Sequence, residues 1–118
     1  MKKYFLKDGT GQQGPFSVEE LKEKNIKFVF VELPELPVYT DNVDPEKYRE
    51  MHSAINIFVA KYHIKYFNYL HDSRFTINEF TNLPDHLNAT GAEKISKIIN
   101  LQVIIPEMQT YVAMNKDK

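Results

Sequence analysis

The chain has no cysteine and no tryptophan, only four glycines among its 118 residues, and no surplus of either charge. The missing cysteine excludes a disulfide framework, a Cys-based zinc site and a thiol nucleophile together. It leaves the compartment open, because a Cys-free chain folds equally well on either side of a membrane. Lys and Arg number 15 against 16 Asp and Glu, for a formal net charge of −1. A non-specific nucleic-acid binder carries a basic excess or stripe, so nucleic acid is not an expected partner.

Long apolar runs are missing too. The longest, Ile26 to Leu33, is interrupted by Lys27 and Glu32. It falls far short of the ~20 residues a bilayer requires, so no membrane span is expected. Met1-Lys2-Lys3 opens like a signal peptide, but Asp8 and Gly9 end the segment before an apolar core develops. A soluble chain without a targeting segment is the reading. Gly9-Thr10-Gly11 lacks the spacing and the preceding buried strand of a phosphate-binding loop. No cofactor is implied. His52, His63 and His71 are too scattered to argue a metal site.

What remains is ordinary globular material, 42% hydrophobic and 26% charged, with the length of one domain. Tyr4 to Lys7 reads as a short strand, followed by a turn that closes at Gly14-Pro15-Phe16. Ser17 with Glu20 forms a capping box for a helix from Val18 to about Lys24, and Asn25 suits its left-handed C-terminal position. Ile26 to Leu33 is β-branched, aromatic and nearly continuous, the pattern of a strand covered on both faces in a parallel sheet. Pro34 and Pro37 end it.

Asp44-Pro45 pairs an N-cap with proline at the first helical position. Tyr48, Met51, Ile55, Phe58, Val59 and Tyr62 follow as one apolar stripe, predicting a helix from Pro45 to Tyr62. Ile64 to Leu70 reads as a second strand, and its aromatic run is read as core rather than as a stacking platform. A polar connector runs from His71 to Asn88. Asn88 or Thr90 can then cap a helix bearing Ala92, Ile95, Ile98 and Ile99, and Pro106 to Lys118 thins into a polar tail.

The expected fold class is therefore α/β, a small parallel sheet with flanking helices. Residues 1–16 form an N-terminal strand and turn, 17–105 the α/β domain, and 106–118 the tail. Ligands of such sheets sit beyond the carboxyl ends of the strands, which singles out Pro34–Asp44 and His71–Asn88.

Within the second segment, Asp85-His86-Leu87-Asn88 places a histidine at a loop–helix junction among carboxylate and amide neighbours. Histidine there has the pKa range of a general base for a hydroxyl nucleophile, and equally of a hydrogen-bonded structural residue. Asn88 and Thr90 have plain readings as helix caps, and Asn88 is also a candidate binding residue.

The segment from Ser17 to Val103 resembles the C-terminal half of an SGNH (GDSL-type) hydrolase, of the branch of cell-envelope acyltransferase and esterase-like proteins. The residues behind this are LKEKNIKFVFVELP, the helix after Asp44-Pro45, IKYFNYL, and Asp85-His86-Leu87-Asn88 with Gly91-Ala92. The resemblance implies ester hydrolysis or O-acyl transfer, with His86 as the histidine that deprotonates a serine. It suggests the cell envelope, although the sequence accommodates the cytoplasm equally.

The chain also departs from that pattern. It has no Gly-Asp-Ser stretch, and its serines are Ser17, Ser53, Ser73 and Ser96. Ser17 reads as a cap, Ser53 and Ser96 as helix residues, and Ser73 as a turn residue or a binding contact. Leu83 stands where the family usually has its acid. Asp85, directly adjacent to His86, is expected to point away from it if the segment is extended. Asn82 or a backbone carbonyl then becomes the expected partner of the ring. As an isolated chain the domain reads as incomplete, with the serine lost or supplied by another chain.

A shorter resemblance covers the N-terminus. Tyr4-Phe5 with Gln13-Gly14-Pro15-Phe16-Ser17 and Glu19-Glu20-Leu21 is similar to the opening of GYF-type domains, which bind proline-rich peptides. It supports the alternative of a non-catalytic interaction module. In either case the unpaired strand edges of a small sheet suit a homodimer or a partner chain that completes it.

Overall fold

A computed structural model describes residues 5–7 and 13–116, with side chains from Ser17 to Lys116. The strand expected over Tyr4 to Lys7 is present over Phe5–Lys7, while Tyr4 itself, with its part of the GYF-like match, and the glycines 9 and 11 lie outside the described residues. Strand β1 (Phe5–Lys7) pairs antiparallel with β2 (Gln13–Ser17), so the segment read as a turn is itself a strand.

Ser17 ends β2 and caps α1 (Val18–Glu23), its hydroxyl accepting from the Glu20 N–H at 3.2 Å. Asn25 then takes a positive φ of 57°, the left-handed turn that asparagine tolerates best after glycine. Two parallel strands follow, β3 (Val29–Glu32) and β4 (Lys65–Asn68), in the register Val29–Lys65 through Glu32–Asn68. Helix α3 (Pro45–Lys61) connects them, preceded by the short helix α2 (Pro37–Thr40). Asp44 caps α3 by accepting from the Glu46 N–H at 2.9 Å. The parallel α/β unit expected from the sequence is present.

Side-chain alternation divides the core in two. Phe28, Phe30 and Ile64 lie on one face with Val18, Phe58, Val59 and Tyr62. Val31 and Phe67 lie on the other with Tyr69, Phe75, Phe80 and Ile95. Covering both faces explains why the strand sequence does not alternate. The cover is thin, however. All four β3 residues are half-buried, and Ile26 and Leu33 are about half exposed rather than core.

The stripe on α3 is also shifted from its expected phase. Tyr48, Ile55, Phe58 and Val59 face the sheet, but Met51 is 49% exposed and His52 takes the inward position. A histidine four residues after Tyr48 fits the 3.6-residue period better than a methionine three after.

Beyond β4, Ile77–Glu79 forms a 3₁₀ turn closed by a capping box between Thr76 and Glu79. Helix α4 (Ala89–Ile99) continues through a wide π-type segment (Asn100–Ile104) into α5 (Ile105–Asn115). The expected polar tail is therefore helical to Asn115. Pro106 lacks the N–H that an α-turn requires, and the wider preceding turn accommodates it without ending the helix. Glu107 anchors α5 by ion pairs with Lys27 and with Lys65, the latter at 2.7 Å. Among the described residues no helix is long and apolar enough to cross a membrane.

Candidate functional site

Three loops meet beyond the carboxyl ends of β3 and β4, joined by backbone hydrogen bonds. The Glu35 N–H donates to Leu70 O at 3.1 Å, and the Leu36 N–H donates to Pro84 O at 3.0 Å. Both segments that the parallel topology nominates, after β3 and after β4, are thereby held side by side.

His86 stands on the last of these loops, directly before α4. Its N–H donates to Leu83 O at 3.1 Å and its carbonyl accepts from the Thr81 N–H at 2.8 Å. The first of these closes a β-turn with Pro84 and Asp85 at its centre, a position proline favours. In a turn, unlike an extended strand, successive side chains need not oppose one another. Asp85 Oδ1 consequently lies 2.7 Å from His86 Nδ1. This overturns the expectation that Asp85 is a poor orienter and that Asn82 or a carbonyl holds the ring. Asn82 is exposed and makes no hydrogen bond to His86 among the described residues.

The His86 side chain is 60% exposed, and among the described residues its Nε2 has no hydrogen-bond partner. No serine hydroxyl reaches it there. Ser73 is exposed in the turn from Asp72 to Phe75, and Ser53 and Ser96 lie on α3 and α4. Asn88 is engaged internally. Its Oδ1 accepts from the Gly91 N–H at 2.9 Å, while its Nδ2 donates to Asn78 O at 2.9 Å and Phe80 O at 3.1 Å. That makes it the cap of α4 and the brace of the His86 loop, and Thr90 is a residue of the helix rather than its cap.

A second group lies at the same end of the sheet. The Glu32 carboxylate, at the tip of β3, accepts from the Tyr66 hydroxyl and lies 2.9 Å from His52 Nε2. His52 Nδ1 is 3.0 Å from the Tyr48 carbonyl, the two rings lie tilted at 42° with centroids 4.2 Å apart, and the Tyr48 hydroxyl lies 3.1 Å from His71 Nε2. Burial pushes the Tyr66 hydroxyl well above its ordinary range, and the adjacent Glu32 carboxylate reinforces this. Sequence reading missed Glu32, Tyr48, His52 and Tyr66 as a group. Their signal was a carboxylate interrupting an apolar strand and a Tyr–His pair at helical spacing.

Glu35 lies between the two groups. It is half-buried and makes no side-chain hydrogen bond among the described residues. Burial raises its pKa, and the Asp85 and Glu32 carboxylates raise it further, against the opposing pull of His71 and His52. Its legible signal was a charged residue between two prolines after a strand. Among the described residues no three His, Asp or Glu side chains are grouped to hold a metal ion. Comparison with protein-family models, with curated proteins and with solved structures gave no match to this chain.

Proposed function

We propose that the chain is an SGNH-like α/β domain of the ester-hydrolysing or O-acyl-transferring kind, incomplete as an isolated chain, with His86 as its base. The observation that carries this reading is the Asp85–His86 pair, with its open Nε2, at the carboxyl end of a parallel sheet. In this reading Asp85 accepts from His86 Nδ1–H and fixes the tautomer whose Nε2 lone pair faces outward. Nε2 takes the proton of a serine hydroxyl as the oxygen attacks an acyl carbonyl, and returns it to the leaving oxygen. The serine is lost or comes from another chain. Glu35, near Asp85 and poorly solvated, would bring a third carboxyl group to the same opening.

Hydrolysis of p-nitrophenyl acetate tests this, because an ester so activated reacts with an imidazole directly and reads His86 without the missing serine. The expected result is a rate above that of equimolar free imidazole, abolished in His86→Ala and lowered about tenfold or more in Asp85→Asn. A rate no higher than imidazole's overturns the proposal.

The second reading is a non-catalytic interaction module that pairs with a second copy. It is favoured by a sheet of two strands and by exposed apolar side chains on the C-terminal helical stretch, with Leu101 66%, Met108 61% and Val112 62% exposed. A flat ester assay together with a concentration-dependent dimer in sedimentation velocity supports it. A monomer at all concentrations removes it.

A further inference from the structure

The second polar group has a property that its donors and acceptors dictate. His52 Nδ1 faces the Tyr48 carbonyl at 3.0 Å, and Nε2 faces the Glu32 carboxylate oxygens at 2.9 and 3.2 Å. A carbonyl and a carboxylate only accept hydrogen bonds, whereas a neutral imidazole has one N–H and one lone pair. Either neutral tautomer therefore turns a lone pair toward an acceptor. Only the imidazolium, with an N–H on each nitrogen, satisfies both contacts.

We propose that the Glu32–His52 contact is a proton-dependent clamp, in which His52 is held as an imidazolium at neutral pH and pins the first half of α3 to the carboxyl end of the sheet. The proposal is independent of any acyl-transfer activity. Its mechanical basis is the uneven seating of α3, which has no fully buried residue between Pro45 and Lys61. Its second half is held by Phe58 and Val59, with Phe58 edge-on to Phe30 at 6.4 Å and to the Tyr62 ring at 5.3 Å. Its first half is tied to Glu32 at the end of β3 through His52, and to His71 in the loop after β4 through the Tyr48 hydroxyl.

The titratable groups facing His52 are Glu32 on β3, Glu35 after β3, Tyr48 on its own helix, and Tyr66 on β4 through their shared carboxylate. His71, in the loop after β4, faces Tyr48. Burial alone lowers the basicity of His52, but the Tyr48 carbonyl and the Glu32 carboxylate outweigh it, and the net direction is upward. A group whose folded pKa exceeds its unfolded value stabilises fully below the unfolded value, about 6.5 for histidine, and loses that contribution as pH rises through the folded one. The clamp accordingly holds while His52 is charged and Glu32 ionised, and releases as pH rises through the raised His52 value.

The experiment is a pH titration of the histidine ring nitrogens by NMR on the full chain, with His52 assigned through His52→Gln. Amide protection factors, corrected for intrinsic exchange, are followed in parallel. Both His52 nitrogens should report imidazolium at pH 7, with a midpoint above the ordinary histidine range. Protection of residues 49–56 should fall as pH passes that midpoint, while residues 58–62 stay protected. Glu32→Gln should lower the midpoint and flatten the pH dependence. A neutral His52 ring at pH 7, or protection of residues 49–56 that ignores its titration, overturns the proposal. Should Glu32→Gln fail to fold, the wild-type titration and the His52→Gln exchange profile decide it alone.

Discussion

Gly91, in the first turns of α4, packs directly beneath the backbone carbonyl of Glu79. A Cβ built at residue 91 would fall inside van der Waals contact of that oxygen and 2.9 Å from Leu87 Cδ2. The glycine is there for close approach of helix and loop, and the same contact sets the height of the loop that carries His86.

Gly91→Ala should therefore destabilise the chain by about 1–3 kcal/mol, although alanine is the better helix former. The opposing atom is backbone and cannot swing away. Urea unfolding measures the change, and a stabilised variant would show that the contact is not tight.

Asn88 links the cap of α4 to Asn78 and Phe80 through three hydrogen bonds. Asn88→Ala should cost roughly 2 kcal/mol, more than the ~1 kcal/mol of a cap alone. Asn88→Ser keeps a cap acceptor and loses both amide donors without setting a carboxylate against the two carbonyls, so it should cost less than Asn88→Ala. Equal losses in both variants would assign the whole effect to the donors.

The stability of the loop should respond to acid through Glu79. The Lys94 ammonium at 2.7 Å, followed by the Thr76 N–H and hydroxyl, brings its carboxyl down to about 2. A depressed carboxylate stabilises above its unfolded value and loses that contribution as pH falls through the folded one. Its ordinary value is 4.5, so the loss should fall between about pH 4.5 and 2. Glu79→Gln should be less stable at pH 7 and show a flatter profile across that window in thermal melts. A mutant profile parallel to wild type would remove Glu79 from the acid response.

The phase of α3 can be checked by a pair of truncations. Phe58 packs against the Val18–Tyr62–Ile64 cluster, whereas Met51 is half exposed. Phe58→Ala should cost about 2–3 kcal/mol, less than a fully buried phenylalanine, and Met51→Ala within about 0.5 kcal/mol of zero. Comparable losses at the two positions would falsify the observed helix phase.

Local chemistry was legible in the sequence. Ser17, Asp44 and Asn88 cap helices as their residue types require, because a cap bonds an N–H two or three residues away. The parallel pairing of β3 and β4 followed from two apolar strands flanking a capped helix. Tertiary structure decided which functional groups meet. Glu32 lies 20 residues from His52 and 34 from Tyr66, and Tyr48 lies 23 from His71. Those encounters depend on the rotation of α3 about its axis and on strand register, where a one-residue error turns a side chain from the sheet to solvent. The Asp85–His86 contact failed as an expectation for the same kind of reason. Adjacent residues diverge in a strand and can meet in a turn, and the turn is closed by the Leu83–His86 hydrogen bond. The helical C-terminus likewise required knowing that a widened turn precedes Pro106 and that Glu107 reaches two lysines at the sheet. Composition registers neither, because both depend on contacts between segments far apart in the chain.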